Sequence, residues 1–117
     1  MYTHMNFTGK GFIGTAEVAT KDDKKRGTVR IASTDSWKDG DGERQERTNW
    51  FTLTVFKPSL IEMIENGWIA KGRYVEASGD LRENRWTDGE GSERFDVQLI
   101  AERVQFLDRK PADNGGE

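Results

Sequence analysis

The sequence contains no cysteine and a single histidine among its 117 residues. Without cysteine there is no disulfide framework, no thiolate ligand for a metal and no cysteine nucleophile, and a reducing, cytoplasmic setting fits. The histidine, His4, lies in an unpatterned N-terminus and has no partners for a catalytic triad. The carboxylates are scattered over loops rather than paired on inward strand positions. We therefore expect no enzymatic activity, no metal and no other cofactor.

Long apolar runs are also missing. No stretch approaches the roughly 20 apolar residues of a membrane helix, and the N-terminus lacks the apolar centre of a signal peptide. The length suits one domain, and with hydrophobic and charged residues at 33% each the core must be lean. The net charge of −3 argues mildly against a nucleic-acid partner. Phosphate binding, however, depends on where the charges lie and not on their sum.

The informative stretch is the strand pattern that begins at Trp50. Alternation places Phe51, Leu53 and Val55 on one face, which we interpret as a core face. The opposite face combines two threonines with Trp50 and Phe56, whose rings stand about 20 Å apart at strand rise. A wet face with aromatic rings offers flat apolar surfaces, and nucleobases are the commonest flat partner that tolerates neighbouring threonine and arginine.

Further strands flank this one. The first lies within residues 1–19 and ends near Val18, and its match to G-x-G-x-x-G at 9–14 is weak because no βαβ unit follows. Glycines that let a barrel strand bend are the better interpretation. The charged segment 21–26 is either a solvated turn or a basic edge near a phosphate backbone. A second strand begins at Gly27 and runs towards Trp37.

A short helix separates the third and fourth strands. Ser59 and Glu62 have the spacing of a capping box, Asn66-Gly67 ends the helix, and the helix is expected to plug the bottom of a barrel. Trp68 is expected in the core. The fourth and fifth strands are expected to point these side chains inward: Val75, Ala77, Gly79, Leu81, Phe95, Val97 and Leu99. Tyr74, Arg82 and Trp86 fall on the opposite parity.

Three strands, one helix and two strands form the plan of the OB-fold, an all-β, five-stranded Greek-key barrel that binds oligonucleotides and oligosaccharides. We assign residues 1–109 to this domain. The segment from 108 onward has no core pattern, and we expect residues 110–117 to be a disordered tail.

Seven runs of residues resemble bacterial single-stranded DNA-binding proteins, in order and with compatible spacing over residues 27–109. They are ASTDSWKD at 32–39, ERTNW at 46–50, VF at 55–56, KG at 71–72, GDLR at 79–82, RWTD at 85–88 and QFL at 105–107. The resemblance implies sequence-tolerant binding of single-stranded DNA in replication, repair and recombination, by a cytoplasmic, nucleoid-associated homo-oligomer (dimer or tetramer). It also implies that four aromatic residues stack on bases: Trp37, Trp50, Phe56 and Trp86.

Loop position and strand parity nominate five phosphate contacts, namely Arg30, Lys38, Arg47, Arg82 and Arg85. An OB module for RNA or for protein assembly is the alternative function.

Three departures from the family are visible: Phe51 stands where many members have histidine, and the first strand, which commonly pairs subunits, is less apolar than usual. The acidic, phenylalanine-terminated tip that recruits repair enzymes is not seen at 113–117. Either the chain does not recruit in that way, or the tail was removed.

Overall fold

The computed structural model describes residues 3–108 and shows the expected five-stranded closed barrel with one helix between the third and fourth strands. The elements are β1 Asn6–Lys21, β2 Lys24–Lys38, β3 Arg44–Val55, α1 Pro58–Glu65, β4 Tyr74–Thr87 and β5 Glu93–Phe106. Around the barrel the order is β1-β2-β3-β5-β4, and β3 pairs with β5 in parallel. The expected tail 110–117 lies outside the described residues. Within residues 3–108 no helix is long and apolar enough to cross a membrane.

Strand β1 closes the barrel because it pairs with two strands in succession. Its first half is antiparallel to β4 as far as Phe12, and its second half is antiparallel to β2 from Phe12 onward. The register with β2 shifts between Ile13 and Thr15, so that Gly14 forms the irregularity. The interpretation of the early glycines as bend positions in a barrel strand is confirmed at this point.

The core follows the expected inward parity within the body of the barrel. Leu53, Val55, Val75 and Ala77 are buried there. The apolar side of α1, formed by Leu60, Ile61 and Ile64, packs against the same cluster and covers one end of the barrel. The helix can pack closely against β2 because Gly27 has no side chain: a Cβ at Gly27 would lie only 2.8 Å from Cδ1 of Ile64.

One end of α1 is as expected and the other is not. The capping box is wrong, because Lys57 occupies the N-cap and no side chain caps the helix. Pro58 takes the first helical position, where its fixed φ is favourable and its missing N–H is not needed, so Ser59 already lies inside the helix. The Asn66-Gly67 stop is confirmed: Gly67 has φ +82°, and the amides of Gly67 and Trp68 donate to carbonyls of the last turn.

Four expectations about buried aromatic and aliphatic side chains are wrong. Phe51 is 45% exposed, and Phe95 and Val97 are 66% and 60% exposed. All three have the inward parity. Phe95 and Val97 precede Leu99, where the pairing of β5 with β3 begins, so they lie on the part of the β4–β5 hairpin that extends beyond the barrel. Phe51 lies at the open mouth of the barrel, where it lines a cavity of about 310 Å³ together with Phe7 and Leu99. Trp68, expected in the core, is also 40% exposed in the turn after α1.

The charged segment 21–26 is the tip of a hairpin, and the turn expected there is confined to two residues. Lys21 pairs with Lys24, and only Asp22 and Asp23 turn the chain between them, with φ values of 52° and 65°. Both values lie in the left-handed region that two-residue hairpin turns need and that aspartate tolerates better than most residues. Strand β2 therefore begins three residues before the expected Gly27.

The last described residue is held by a partly buried ion pair. Arg73 is buried, and its Nε lies 2.9 Å from Oδ2 of Asp108, which also accepts from the amide of Tyr74. The Arg73 guanidinium also lies over the ring of Phe106, 4.1 Å from its centre. Hydrogen bonding to Arg73 holds the pKa of Asp108 below its ordinary value. The expectation of an unstructured segment from 108 onward is therefore wrong at Asp108 itself.

Candidate nucleic-acid interface

The ring of Trp50 packs on a glycine. Trp50 lies on the outer face of β3, opposite Ala32 of β2. A Cβ placed on Gly14 would lie 2.5 Å from Cζ3 and 2.8 Å from Cη2 of the indole. The irregularity in β1 thus leaves room for the ring, whose remaining surface stays open: Trp50 is 50% exposed. A large apolar side chain held in this way on an outer face is suited to stacking against a flat partner.

Two arginine side chains of β2 lie beside two aromatic side chains, one in the neighbouring strand β3 and one directly after it. The Cζ atom of Arg30 lies 5.2 Å from the centre of the Trp50 ring, and that of Arg26 lies 5.8 Å from the centre of the Phe56 ring. Arg26 and Arg30 share the outer parity of β2. We call these four residues the outer row. It presents alternating rings and positive charges along one side of the barrel.

Trp37 lies on the other side of the same hairpin. It pairs with Gln45, and its parity is opposite to that of Trp50. Arg47 accompanies it, with Cζ 5.7 Å from the ring centre, and Nη2 of Arg47 is 4.0 Å from Oδ2 of Asp35. The same combination of a half-exposed indole and an arginine therefore recurs here, on a surface that does not continue the outer row directly.

The predicted DNA-contacting residues of the β4–β5 hairpin also lie on two different faces. Trp86 and Arg82 share the outer parity of β4, whereas Arg85 has the inner parity. Arg85 also lies between two carboxylates: its Nε is 2.7 Å from Glu83 and its Nη1 is 3.2 Å from Glu93. Its charge is thus already matched within the hairpin. Lys38, at the end of β2 opposite Arg44, is exposed.

Both hairpins end in loops built in the same manner. In residues 39–43 and 88–92 an aspartate opens the loop, and its carboxylate accepts from the amides two and four residues later. The other oxygen accepts from a side chain six residues later, Gln45 or Arg94. These bonds hold the pKa of Asp39 (chiefly through the amide of Glu43) and of Asp88 (chiefly through Arg94) below the ordinary value. The ionised carboxylates therefore order the tips of the hairpins.

Sequence reasoning named Arg26 only as part of a charged loop. The run of charges from 21 to 26 obscured a strand, because five of its residues are unusual in strand interiors. Extending the alternation of Thr28 and Arg30 back by two residues places Arg26 on the same face. The proximity of Phe56 to Arg26 supports including that arginine in the candidate interface.

The chain is similar to known proteins both in sequence and in fold. The family described as "Single-strand binding protein family" matches residues 13–107. Single-stranded DNA-binding protein 1 of Xylella fastidiosa is 38% identical over 88 residues, which are 74% of this chain and 63% of that protein. The single-stranded DNA-binding protein of Rhizobium meliloti is 29% identical over 102 residues, which are 83% of this chain and 58% of that protein. The chain thus spans about three fifths of the length of these two relatives.

Among solved structures, a Plasmodium falciparum SSB in complex with ssDNA superposes with a TM-score of 0.75 and 20% identity. The match covers 92% of this chain and 98% of that one. At this identity the likeness establishes the fold, and it confirms the OB-fold expected from the order of the strands.

Proposed function

The chain belongs to the single-strand binding protein family, and we propose that it binds single-stranded DNA with little sequence preference and protects it in replication, repair and recombination. Rings stack on successive bases, and arginines neutralise the phosphates between them. The four nominated aromatics, Trp37, Trp50, Phe56 and Trp86, are the proposed stacking residues. Arg30, Lys38, Arg47, Arg82 and Arg85 are the proposed phosphate contacts, to which the geometry adds Arg26.

The observation that carries this proposal is the outer row. Its rings are half exposed although they are large and apolar, and each lies within 6 Å of a guanidinium group. A net-acidic chain can bind a polyanion only if its cations gather on the binding face, and Arg26 and Arg30 supply that arrangement. Family membership supports a binding role rather than catalysis. Of the five nominated cations, Arg85 has the weakest support, because Glu83 and Glu93 already neutralise it.

Titration of intrinsic tryptophan fluorescence tests the proposal. Oligo-dT should quench the emission, a duplex should not, and an oligo-U of equal length should separate DNA binding from the alternative of an RNA-binding module. Affinity should fall with salt, with a logarithmic slope of about −0.7 for each neutralised phosphate. The variant Trp68→Phe removes the tryptophan outside the proposed interface and should keep the quenching. Absence of quenching by oligo-dT, or a salt-independent affinity, refutes the proposal.

We also propose that the protein is a homo-oligomer, a dimer or a tetramer, acting in the cytoplasm at the nucleoid. Apolar side chains outside the outer row are exposed in the single chain: Met5, Phe12, Phe51, Phe95 and Val97. Phe12 stacks on Tyr74 at a centroid distance of 4.8 Å, which forms an aromatic patch across β1 and β4. Exposed patches of this kind mark association surfaces. A subunit interface would supplement the lean core.

Sedimentation or light scattering at micromolar concentration tests the assembly, and at least twice the mass of one chain is expected. Phe95→Ser should shift the population towards the monomer if the inner side of the β4–β5 hairpin is buried between subunits. A monomer mass for the unaltered chain contradicts this proposal but leaves the proposed DNA binding open.

A further inference from the structure

Strand β5 has an open edge over its first half. It pairs with β4 along nearly its whole length, but it pairs with β3 only at Leu99 and Ile100. In the described part of the chain, residues 93–98 therefore have no partner strand on the side away from β4, and we call this segment the open edge. An unpaired edge is a template for pairing with another chain, and proteins often guard it with lysine, proline or a bulge. The open edge, ERFDVQ, contains no lysine and no proline, and its pairing with β4 is regular, so it remains available to a further strand.

The inner side of the open edge is apolar. Phe95 and Val97 share this side, and both are more than half exposed in the single chain. Cross-strand contact between aromatic or β-branched side chains stabilises a pair of strands, and exposed apolar side chains mark association surfaces. The open edge is therefore suited to an extended partner that brings apolar side chains of its own.

The outer side of the open edge carries two opposite charges. Arg94 lies opposite Trp86 of β4, and Asp96 follows two residues later on the same side. Arg94 donates through Nε to Asp88, so the terminal nitrogens of its guanidinium are directed to other acceptors. In residues 3–108, Asp96 has no ion pair within 4.0 Å. The open edge thus presents one cation and one anion in an order that a copy running in the opposite direction matches.

We infer that the open edge pairs with the open edge of a second copy, antiparallel about a two-fold axis at Phe95. This inference rests on the proposed homo-oligomer and names the surface through which two copies associate. About this axis the Phe95 rings of the two copies face each other. Arg94 of each copy faces Asp96 of the other, so that two ion pairs flank one aromatic pair.

The neighbouring axes do not give the same match. An axis at Arg94 places two arginines in direct opposition, and an axis at Asp96 places two aspartates there, which destabilises the strand pair in both cases. An axis at Val97 brings the second strand opposite Leu99 and Ile100, whose edge β3 already occupies. The charges and the start of the β3 pairing therefore select the axis at Phe95.

The pairing also joins two parts of the proposed DNA-binding surface. A two-fold axis perpendicular to the sheet keeps the outer sides of both hairpins on the same face of a joined four-stranded ribbon. Trp86 of both copies then lies on that face. At about 4.8 Å between strands, the two tryptophans stand roughly 14 Å apart across the ribbon. The second copy thus contributes a stacking residue to one extended surface.

Charge reversal tests the register. Arg94→Asp places two aspartates opposite each other at both flanking positions, and Asp96→Arg places two arginines there, so each variant should associate roughly tenfold more weakly or worse. An equal mixture of the two variants should associate again, since every aspartate then faces an arginine. Both variants keep a negative net charge, because each reversal changes the charge of −3 by two. General attraction therefore does not explain recovery in the mixture.

Asp88→Asn is the matched control for Arg94→Asp. It removes the carboxylate that Arg94 binds within its own hairpin, but it creates no opposed charges at the axis. It should keep the mass of the unaltered protein. An equal loss of association in Asp88→Asn and Arg94→Asp overturns the inference, because the order of the hairpin tip would then carry the effect.

Disulfide trapping tests the axis directly, since the chain contains no cysteine. The Cα atoms of directly opposed residues lie about 4.5–5.5 Å apart, which suits a disulfide. Phe95→Cys should therefore form a covalent dimer under mild oxidation. The two copies of residue 97 are about 13 Å apart in this register, so Val97→Cys should not.

Sedimentation velocity of the variants, with thermal melts to verify folding, measures the association. Loss of at least half the mass in both charge variants, recovery in their mixture and a disulfide at position 95 alone support the inference. Unchanged masses in both charge variants, or a disulfide at position 97 instead of 95, overturn it, while the proposed homo-oligomer stands through another surface. A monomer mass for the unaltered chain, with no disulfide at position 95, overturns both.

Discussion

Replacing Gly14 by alanine should displace the Trp50 ring without unfolding the barrel. The added Cβ would lie 2.5 Å from Cζ3 of the indole, closer than carbon atoms can approach, and the three heavy atoms nearest to that position all belong to this indole. Gly14 does not have a positive φ, so alanine suits the backbone. The ring is half exposed and can swing outward. The substitution therefore moves the stacking surface, and the core does not have to rearrange.

The expected size of the effect follows from stacking. A base on an aromatic ring is worth about 1–3 kcal/mol, so losing the position of Trp50 should weaken binding by roughly 5- to 150-fold. The free energy of unfolding should change by less than about 1 kcal/mol, because glycine-to-alanine changes at compatible backbone positions are small or stabilising. Binding and stability should therefore separate in Gly14→Ala.

A double-mutant cycle makes this prediction sharp. Gly14→Ala, Trp50→Ala and the double variant are compared by oligo-dT titration and denaturant melts. If the glycine acts through the ring, the double variant should bind like Trp50→Ala alone, since the two changes remove the same contact. Gly9→Ala is the control on the same strand: a Cβ there has no atom within 4 Å. Wild-type binding by Gly14→Ala, or additive losses in the double variant, would refute the reasoning.

Three further predictions concern stability and pH. Phe51→Ala should reduce the free energy of unfolding of the single chain by about 1–2 kcal/mol, less than the 3–5 kcal/mol typical of a buried phenylalanine, in denaturant melts. Asp108→Asn leaves the buried Arg73 without its carboxylate and should cost about 2–3 kcal/mol in the same assay, whereas an unchanged midpoint would contradict the pairing. The pKa values of Asp39 and Asp88 are lower in the folded protein than in the unfolded chain. The stability that the two ionised carboxylates contribute is therefore complete above the unfolded pKa of about 3.9, and it is lost as the pH falls through their lowered folded-state pKa values. Amide exchange in the two loops should accelerate over that acidic range, and Asp39→Asn should abolish the pH dependence in its own loop.

The order of the strands, the helix and most of the inward faces could be predicted because each depends on local pattern. Alternation from Trp50 to Phe56 gave the correct side for Leu53 and Val55, since the barrel covers that side with other strands. The helix stop was equally local, because Gly67 in the left-handed region ends a helix wherever it stands. The capping box failed because Pro58 competes for the first helical position, and its ring fixes the start more strongly than a serine side chain does.

Exposure of Phe51 and Phe95 could not be predicted in the same way. Alternation reports which side of a strand a residue is on, and says nothing of whether another layer faces that side. Strands of 12 to 16 residues are longer than the barrel needs, so the β2–β3 and β4–β5 hairpins continue past it. Inward parity is then no longer equivalent to burial. The apolar residues on these extensions keep a core-like pattern because, as we propose, a second subunit covers them.

The same difference applies to charged residues of the candidate interface: alternation gives the face of the strand on which a residue lies, but it does not give the side chains that surround it. Arg85 and Arg26 look alike in the sequence, because each is a strand arginine that stands close to other charged residues. In the barrel Arg85 meets Glu83 and Glu93, whereas Arg26 meets the ring of Phe56 and no carboxylate within 4.0 Å among the described residues. A phosphate gains little from a guanidinium that is already neutralised and much from one that is not. We therefore expect Arg26→Gln to reduce the salt slope of oligo-dT binding by about 0.7. Arg85→Gln should reduce that slope by less than Arg26→Gln does, and the opposite ranking would show that the ion pairs of Arg85 open fully when DNA binds.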